Sequence, residues 1–134
     1  MIRVTADTNV LISGLNYAAG KPSAFLELAR EGMISLTVSN EILDEMADVL
    51  ARKFDCPERI ERAKSFITRI ARLVKPAVRL DVVKDDRDDN RILECASPAG
   101  SDYIVIGDID FLRLGWYNSI RIVTVADFLV ISRF

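Results

Sequence analysis

The chain has 134 residues, half of them hydrophobic and 28% charged, with a net charge of −2. That suffices to bury a core and does not fit a disordered or fibrous chain. It holds no histidine, which excludes Ser-His-Asp and Cys-His nucleophile systems and histidine-bearing zinc sites. The two cysteines, Cys56 and Cys95, have no metal-type spacing and read as reduced thiols.

In chain order, Ile2 to Ala6 reads as a buried strand that stops at Asp7, with a helix from Thr8 to Leu15 directly after it. A break at Gly20-Lys21-Pro22 precedes the short helix "PSAFLELAREG", with Pro22 near its first turn and Gly32 beyond its end. "ISLTVS" is a second strand, and Ser39 is placed to cap the helix "NEILDEMADVLAR", whose stripe is Ile42, Met46, Val49 and Leu50. Asp55 and Glu58 form a capping-box pattern before a helix that carries Ile60, Ala63, Ile67, Ile70 and Val74 at helical spacing and ends at Pro76. "AVRL" is a short strand candidate, "DVVKDDRDDN" an acidic loop, and "RILECA" a helix closed by Pro98-Ala99-Gly100. "DYIVIGD" is a strand ending in Asp108, and "IRIVTV" is the last strand, with Thr124 and Asp127 patterned as a capping box before "ADFLVISRF". Strands alternating with helices predict a mostly parallel sheet covered on both faces. Without repeat or linker, residues 1–134 read as one domain. No apolar run has the length of a membrane span, and no charged n-region and apolar h-region open the chain, so a cytoplasmic protein is expected.

Without histidine, an enzyme working near neutral pH relies on carboxylates, and clustered carboxylates suit hard cations such as Mg²⁺ or Mn²⁺. In open α/β sheets, functional groups gather at the carboxyl ends of the strands. Asp7 and Asp108 each end a core strand, Asp89 opens a helix, and Glu45 lies one turn inside another, with Glu41 its i−4 neighbour. Converging carboxylates repel unless a cation neutralises them. The competing reading makes Asp7 and Asp89 helix N-caps, Glu45 a solvated residue and Asp108 a turn residue. Between Arg52 and Arg79, nine basic residues face three acids, a net +6 that leaves −8 elsewhere. That segment is a solvated basic helix face or a platform for a polyanion beside an acidic site.

"VTADTNVLISGL", "VSNEILDEMADVL", "DDRDDNRILECA" and "DYIVIGDIDFL", in that order and closed by "IRIVTVADFL", resemble the PIN domain. Within it they resemble the VapC-like ribonuclease toxins of type II toxin–antitoxin systems. The resemblance implies a three-layer α/β/α sandwich with a central, mostly parallel sheet. It implies Mg²⁺- or Mn²⁺-dependent cleavage of RNA, with Asp7, Glu45, Asp89 and Asp108 as the catalytic and metal-holding acids. Asn9, Ser39 and Asp110 match accompanying positions. It further implies a homodimer or higher assembly and an antitoxin partner. The basic helix from Pro57 to Lys75, with Arg62, Arg69 and Arg72, is the candidate for holding the RNA backbone. Ile106 departs from the family, which usually carries Thr or Ser before this Gly-Asp. The departure supports the rival reading of a drifted site that binds RNA or a protein partner without cleaving, and Glu41 competes with Glu45 as the second acid.

Overall fold

A computed structural model describes residues 1–76, 79, 87–107 and 111–133, with the backbone alone at 87–89 and 111. Its centre is a six-stranded sheet of order β3-β2-β1-β4-β6-β5. The strands are β1 (Ile2–Ala6), β2 (Ile34–Val38), β3 (Ala71–Leu73), β4 (Tyr103–Ile106), β5 (Trp116–Tyr117) and β6 (Ile120–Thr124). All neighbours are parallel except β5 and β6. The helices are α1 (Thr8–Asn16), α2 (Lys21–Arg30), α3 (Asn40–Lys53), α4 (Pro57–Ile70), α5 (Arg87–Ala99) and α6 (Val125–Ile131), with a short 3-10 helix at Phe111–Leu114. They cover the sheet in the α/β/α arrangement that alternating strands and helices require.

The central strands are buried on both faces, as a sheet sandwiched between helices demands: Val4 and Leu36 are apolar on one face, while on the other Ile104 and Ile122 stand beside buried Thr5 and Thr37, whose hydroxyls hydrogen-bond at 2.8 Å. The stripe expected on α3 buries Ile42, Met46 and Leu50, and Ser39 caps that helix by accepting from the Ile42 N–H at 3.2 Å. Thr124 caps α6 by accepting from the Asp127 N–H at 3.2 Å. The glycine after α5, Gly100, has φ +66°, and the Ser101 N–H donates back to the Ala96 carbonyl at 3.1 Å. A left-handed residue there ends the helix and satisfies its last carbonyls. Phe25, Phe128 and Tyr103 stack edge to face and tie α2 and α6 to β4.

Several expectations need correction. The helix before Pro76 ends at Ile70, and the next three residues form β3 against β2 in the register Leu36↔Ala71. The open edge of β2 provides a ladder that local helical spacing could not reveal. "AVRL" falls largely outside the described residues. Asp55 does not cap α4: Pro57 takes the first helical position, which makes Cys56 the N-cap and puts the capping-box pattern one residue out of register. The helix expected from Arg91 begins at Arg87, so Asp89 is its third residue rather than its cap. The two-residue edge strand β5 and the 3-10 helix went unforeseen because neither is long enough to show a period.

Candidate functional site

The strand order reverses between β1 and β4: β2 and β3 extend from one side of β1, and β4, β6 and β5 from the other. Asp7 lies at the carboxyl end of β1 at this switch, where α/β sheets open a crevice. Its backbone N–H donates to the Val105 carbonyl at 3.0 Å, so the residue is fixed between the two strands before its side chain is considered. The side chain is 4% exposed. Its Oδ1 accepts from the Val10 N–H at 2.8 Å, capping α1, and its Oδ2 accepts from the Gly107 N–H at 3.0 Å. The helix N-terminus and a second backbone donor thus offset the cost of burying the carboxylate. A Cβ on Gly107 would make only ordinary contacts, 3.5 Å from Asn9 Cβ and 3.9 Å from Asp7 Oδ1.

Glu45 approaches from α3. Its Oε2 accepts from the Thr8 hydroxyl at 2.9 Å, which brings it beside the residue that follows Asp7. Glu41, one turn earlier, turns elsewhere, with its Oε1 3.8 Å from the Arg79 guanidinium. Asn9 is exposed at the start of α1, and Ser39 is wholly buried under the first turn of α3. Ile106 is 1% exposed and belongs to the core cluster, in register with Thr124. Asp89 is described by its backbone alone, and Asp108 and Asp110 lie outside the described residues. Among the described residues, no group of three or more acidic, histidine or cysteine side chains converges to hold a metal ion.

One acid at this end of the molecule carries no sequence signal strong enough to single it out. Glu94 on α5 is buried, accepts from the Arg91 guanidinium at 2.7 Å and has Arg79 at 3.5 Å. Its faint signal is an acid set among apolar residues in "RILECA", three residues after an arginine that can reach it.

The basic residues spread over more than one surface. Arg69 and Arg72 are exposed on α4 and β3. Arg62 instead walls a concavity of about 190 Å³ together with Leu15, Phe54, Arg59, Ile60 and Phe66. The Arg59 guanidinium stacks 4.0 Å above the Phe54 ring. Leu15 closes the far end of α1, roughly 10 Å from Thr8 at 1.5 Å per residue, so this hollow is separate from the carboxylates.

The fold and this edge define an α/β/α protein with a buried aspartate at its strand-order switch and Glu45 tethered to the residue beside it. Residues 3–110 match the model of the PIN domain, and the chain belongs to that family. PIN domains are generally nucleases that use divalent metals. The uncharacterized protein MJ1680 of Methanocaldococcus jannaschii is 29% identical over 118 residues, 84% of this chain and 75% of that protein. The crystal structure of VapBC2 from Rickettsia felis bound to a DNA fragment from their promoter superposes with a TM-score of 0.69 at 12% identity. The match covers 92% of this chain and 98% of that one, and shares the fold. Among the described residues, no helix is long and apolar enough to cross a membrane.

Proposed function

We propose that this chain is a metal-dependent endoribonuclease, the toxin of a toxin–antitoxin pair, acting in the cytoplasm as a homodimer or higher assembly. The observation that carries the reading is the carboxylate of Asp7, buried at the switch point and aimed by two backbone N–H groups, with Glu45 held beside it by Thr8. Oxygen-only donors fit Mg²⁺ or Mn²⁺, and Asp7, Glu45, Asp89 and Asp108 would hold the ion. When bound, it would lower the pKa of an attacking water and offset charge on the phosphoryl oxygens. Asp7 supplies a fixed negative charge whose position neither helix nor sheet can relax. Glu45, oriented by the Thr8 hydroxyl, completes the acidic wall or orients the water. The tether of Glu45 to Thr8, and of Glu41 to Arg79, supports Glu45 over Glu41 as the second acid. Exposed Arg69 and Arg72 supply cations for the RNA backbone, with Arg62 facing the separate hollow.

Purified wild-type and Asp7→Asn proteins, incubated with a mixed RNA pool with and without Mn²⁺, test the reading. Asparagine keeps an oxygen to cap Val10 but turns its amide NH2 toward the Gly107 N–H, so the variant's thermal melt is recorded beside its cleavage to show that it is folded. Cleavage is expected only for wild type and only with the ion. Undiminished cleavage by folded Asp7→Asn protein sinks the assignment. Ile106 favours a second reading, binding without cleavage, which RNA retention by an inert wild-type protein would support.

A further inference from the structure

The sheet has a second concavity, at the amino-terminal ends of β1, β4 and β6. It encloses about 370 Å³ and is lined by Ile2, Asp102, Tyr103, Trp116, Ser119 and Arg121. Trp116 and Arg121 are direct cross-strand partners of β5 and β6, and Arg121 pairs in turn with Tyr103 of β4. Cross-strand partners stand on the same face of a sheet with Cβ atoms about 5 Å apart, so an indole, a guanidinium and a phenol ring share one wall. Trp116 is 59% exposed. Burial of the Tyr103 ring edge against Phe128 at 5.7 Å fixes the floor. Tyr103 begins β4 and Ile106 ends it, so the hollow and Asp7 lie at opposite ends of the same short strand, roughly 10 Å apart at 3.3 Å per residue.

We propose that Trp116, Tyr103 and Arg121 form a stacking subsite for a base of single-stranded RNA, at the end of the strands opposite the carboxylates. An exposed indole beside a guanidinium is the pairing that holds unstacked bases, the ring taking the base face and the cation its phosphate. Ser119 and Asp102 add donors and acceptors to the rim, and Asp102 is held in place by the Arg3 N–H at 2.9 Å. Aromatic residues beside an arginine also suit a protein interface, so a second copy of the chain is the competing occupant, which emission at rising protein concentration separates. The inference extends the nuclease reading, placing part of the substrate beyond the scissile bond, yet binding here needs neither metal nor cleavage.

Trp116 is the chain's only tryptophan, so its emission reports on this hollow alone. The full chain is titrated, in EDTA, against a fluorescein-labelled single-stranded RNA of mixed sequence. Tryptophan quenching is expected to follow the same isotherm as anisotropy. Trp116→Ala should weaken binding about ten-fold or more, Trp116→Phe should restore most of it, and Arg121→Gln should lower the salt slope by about 0.7. Binding without quenching, or Trp116→Ala binding as wild type with an unchanged melting curve, overturns the proposal. So does a tryptophan emission that shifts with protein concentration alone, which assigns the hollow to a second copy of the chain. Quenching in EDTA with no cleavage of the same RNA once Mn²⁺ is in excess overturns the nuclease reading and leaves this one standing, and cleavage with Mn²⁺ but no quenching in EDTA does the reverse.

Discussion

Thr8 donates to Glu45 Oε2 across 37 residues of sequence and immediately follows Asp7 in the chain, so it couples α3 to the acidic edge. It is 3% exposed, and removing its hydroxyl would leave a carboxylate oxygen short of a donor in a half-buried setting. If Glu45 holds the proposed ion, a partner of this kind is worth about 10–100-fold in metal affinity or activity. Thr8→Val should therefore weaken Mn²⁺ binding, measured calorimetrically, by about that factor, while Thr8→Ser stays near wild type. Equal affinities for Val and Ser would show that Glu45 needs no such tether. Asp7 was legible from sequence because a carboxylate closing an apolar strand is costly to bury unless something pairs with it. Thr8 was not, because a threonine opening a helix has no pattern that points 37 residues ahead. Glu94 was hidden for a related reason: an i,i+3 pair with arginine reads as a surface feature until burial is known.

Among the elements, α1 and α2 approach each other closely at Gly14. A Cβ there would meet Leu26 Cδ1 at 2.5 Å and the Pro22 carbonyl oxygen at 2.9 Å. Leu26 can rotate, but the Pro22 carbonyl is backbone and cannot yield without moving α2. Gly14→Ala gains about 1 kcal/mol of helix propensity against about 1–3 kcal/mol of overpacking. A net destabilisation is expected, seen in urea as a lower midpoint with an unchanged m-value. A raised midpoint would mean that the helices separate freely. The same distinction between local and distant causes decided which elements the sequence revealed. The elements β1, β2, α3, β4 and β6 carry their own periodicity and caps and were legible. By contrast β3 exists because β2 has an open edge, and β5 because β6 does. Val74 kept helical spacing past the point where that pairing had already ended α4.

For the whole molecule, the buried thiol of Cys95 links stability to pH. It is inaccessible to solvent, close to a chain of buried hydroxyls in which Thr5 Oγ1 lies 2.8 Å from both Thr37 Oγ1 and Ser101 Oγ. Burial pushes the thiol up from 9.0 to about 11, although the neighbouring Thr5, Thr37 and Ser39 hydroxyls draw it partly back. Below pH 9.0 both the folded and unfolded chains keep the proton, and the thiol contributes no pH dependence. Between 9.0 and about 11 the unfolded chain releases its proton while the folded one retains it, so unfolding becomes more favourable as pH rises. The full difference, two pKa units, is about 2–3 kcal/mol. A single domain of this size generally unfolds as one cooperative unit, and in such a unit the effect falls on global stability rather than on one strand. Urea midpoints of wild type and Cys95→Ala, followed from pH 8 to 11, isolate it, since the two proteins differ at this one side chain. Cys95→Ala should be less stable at pH 8 through the cavity it leaves, and the gap should narrow steadily above pH 9. Parallel curves would show that the folded state admits the thiolate, and that the hydroxyls beneath the sheet solvate it as well as water does.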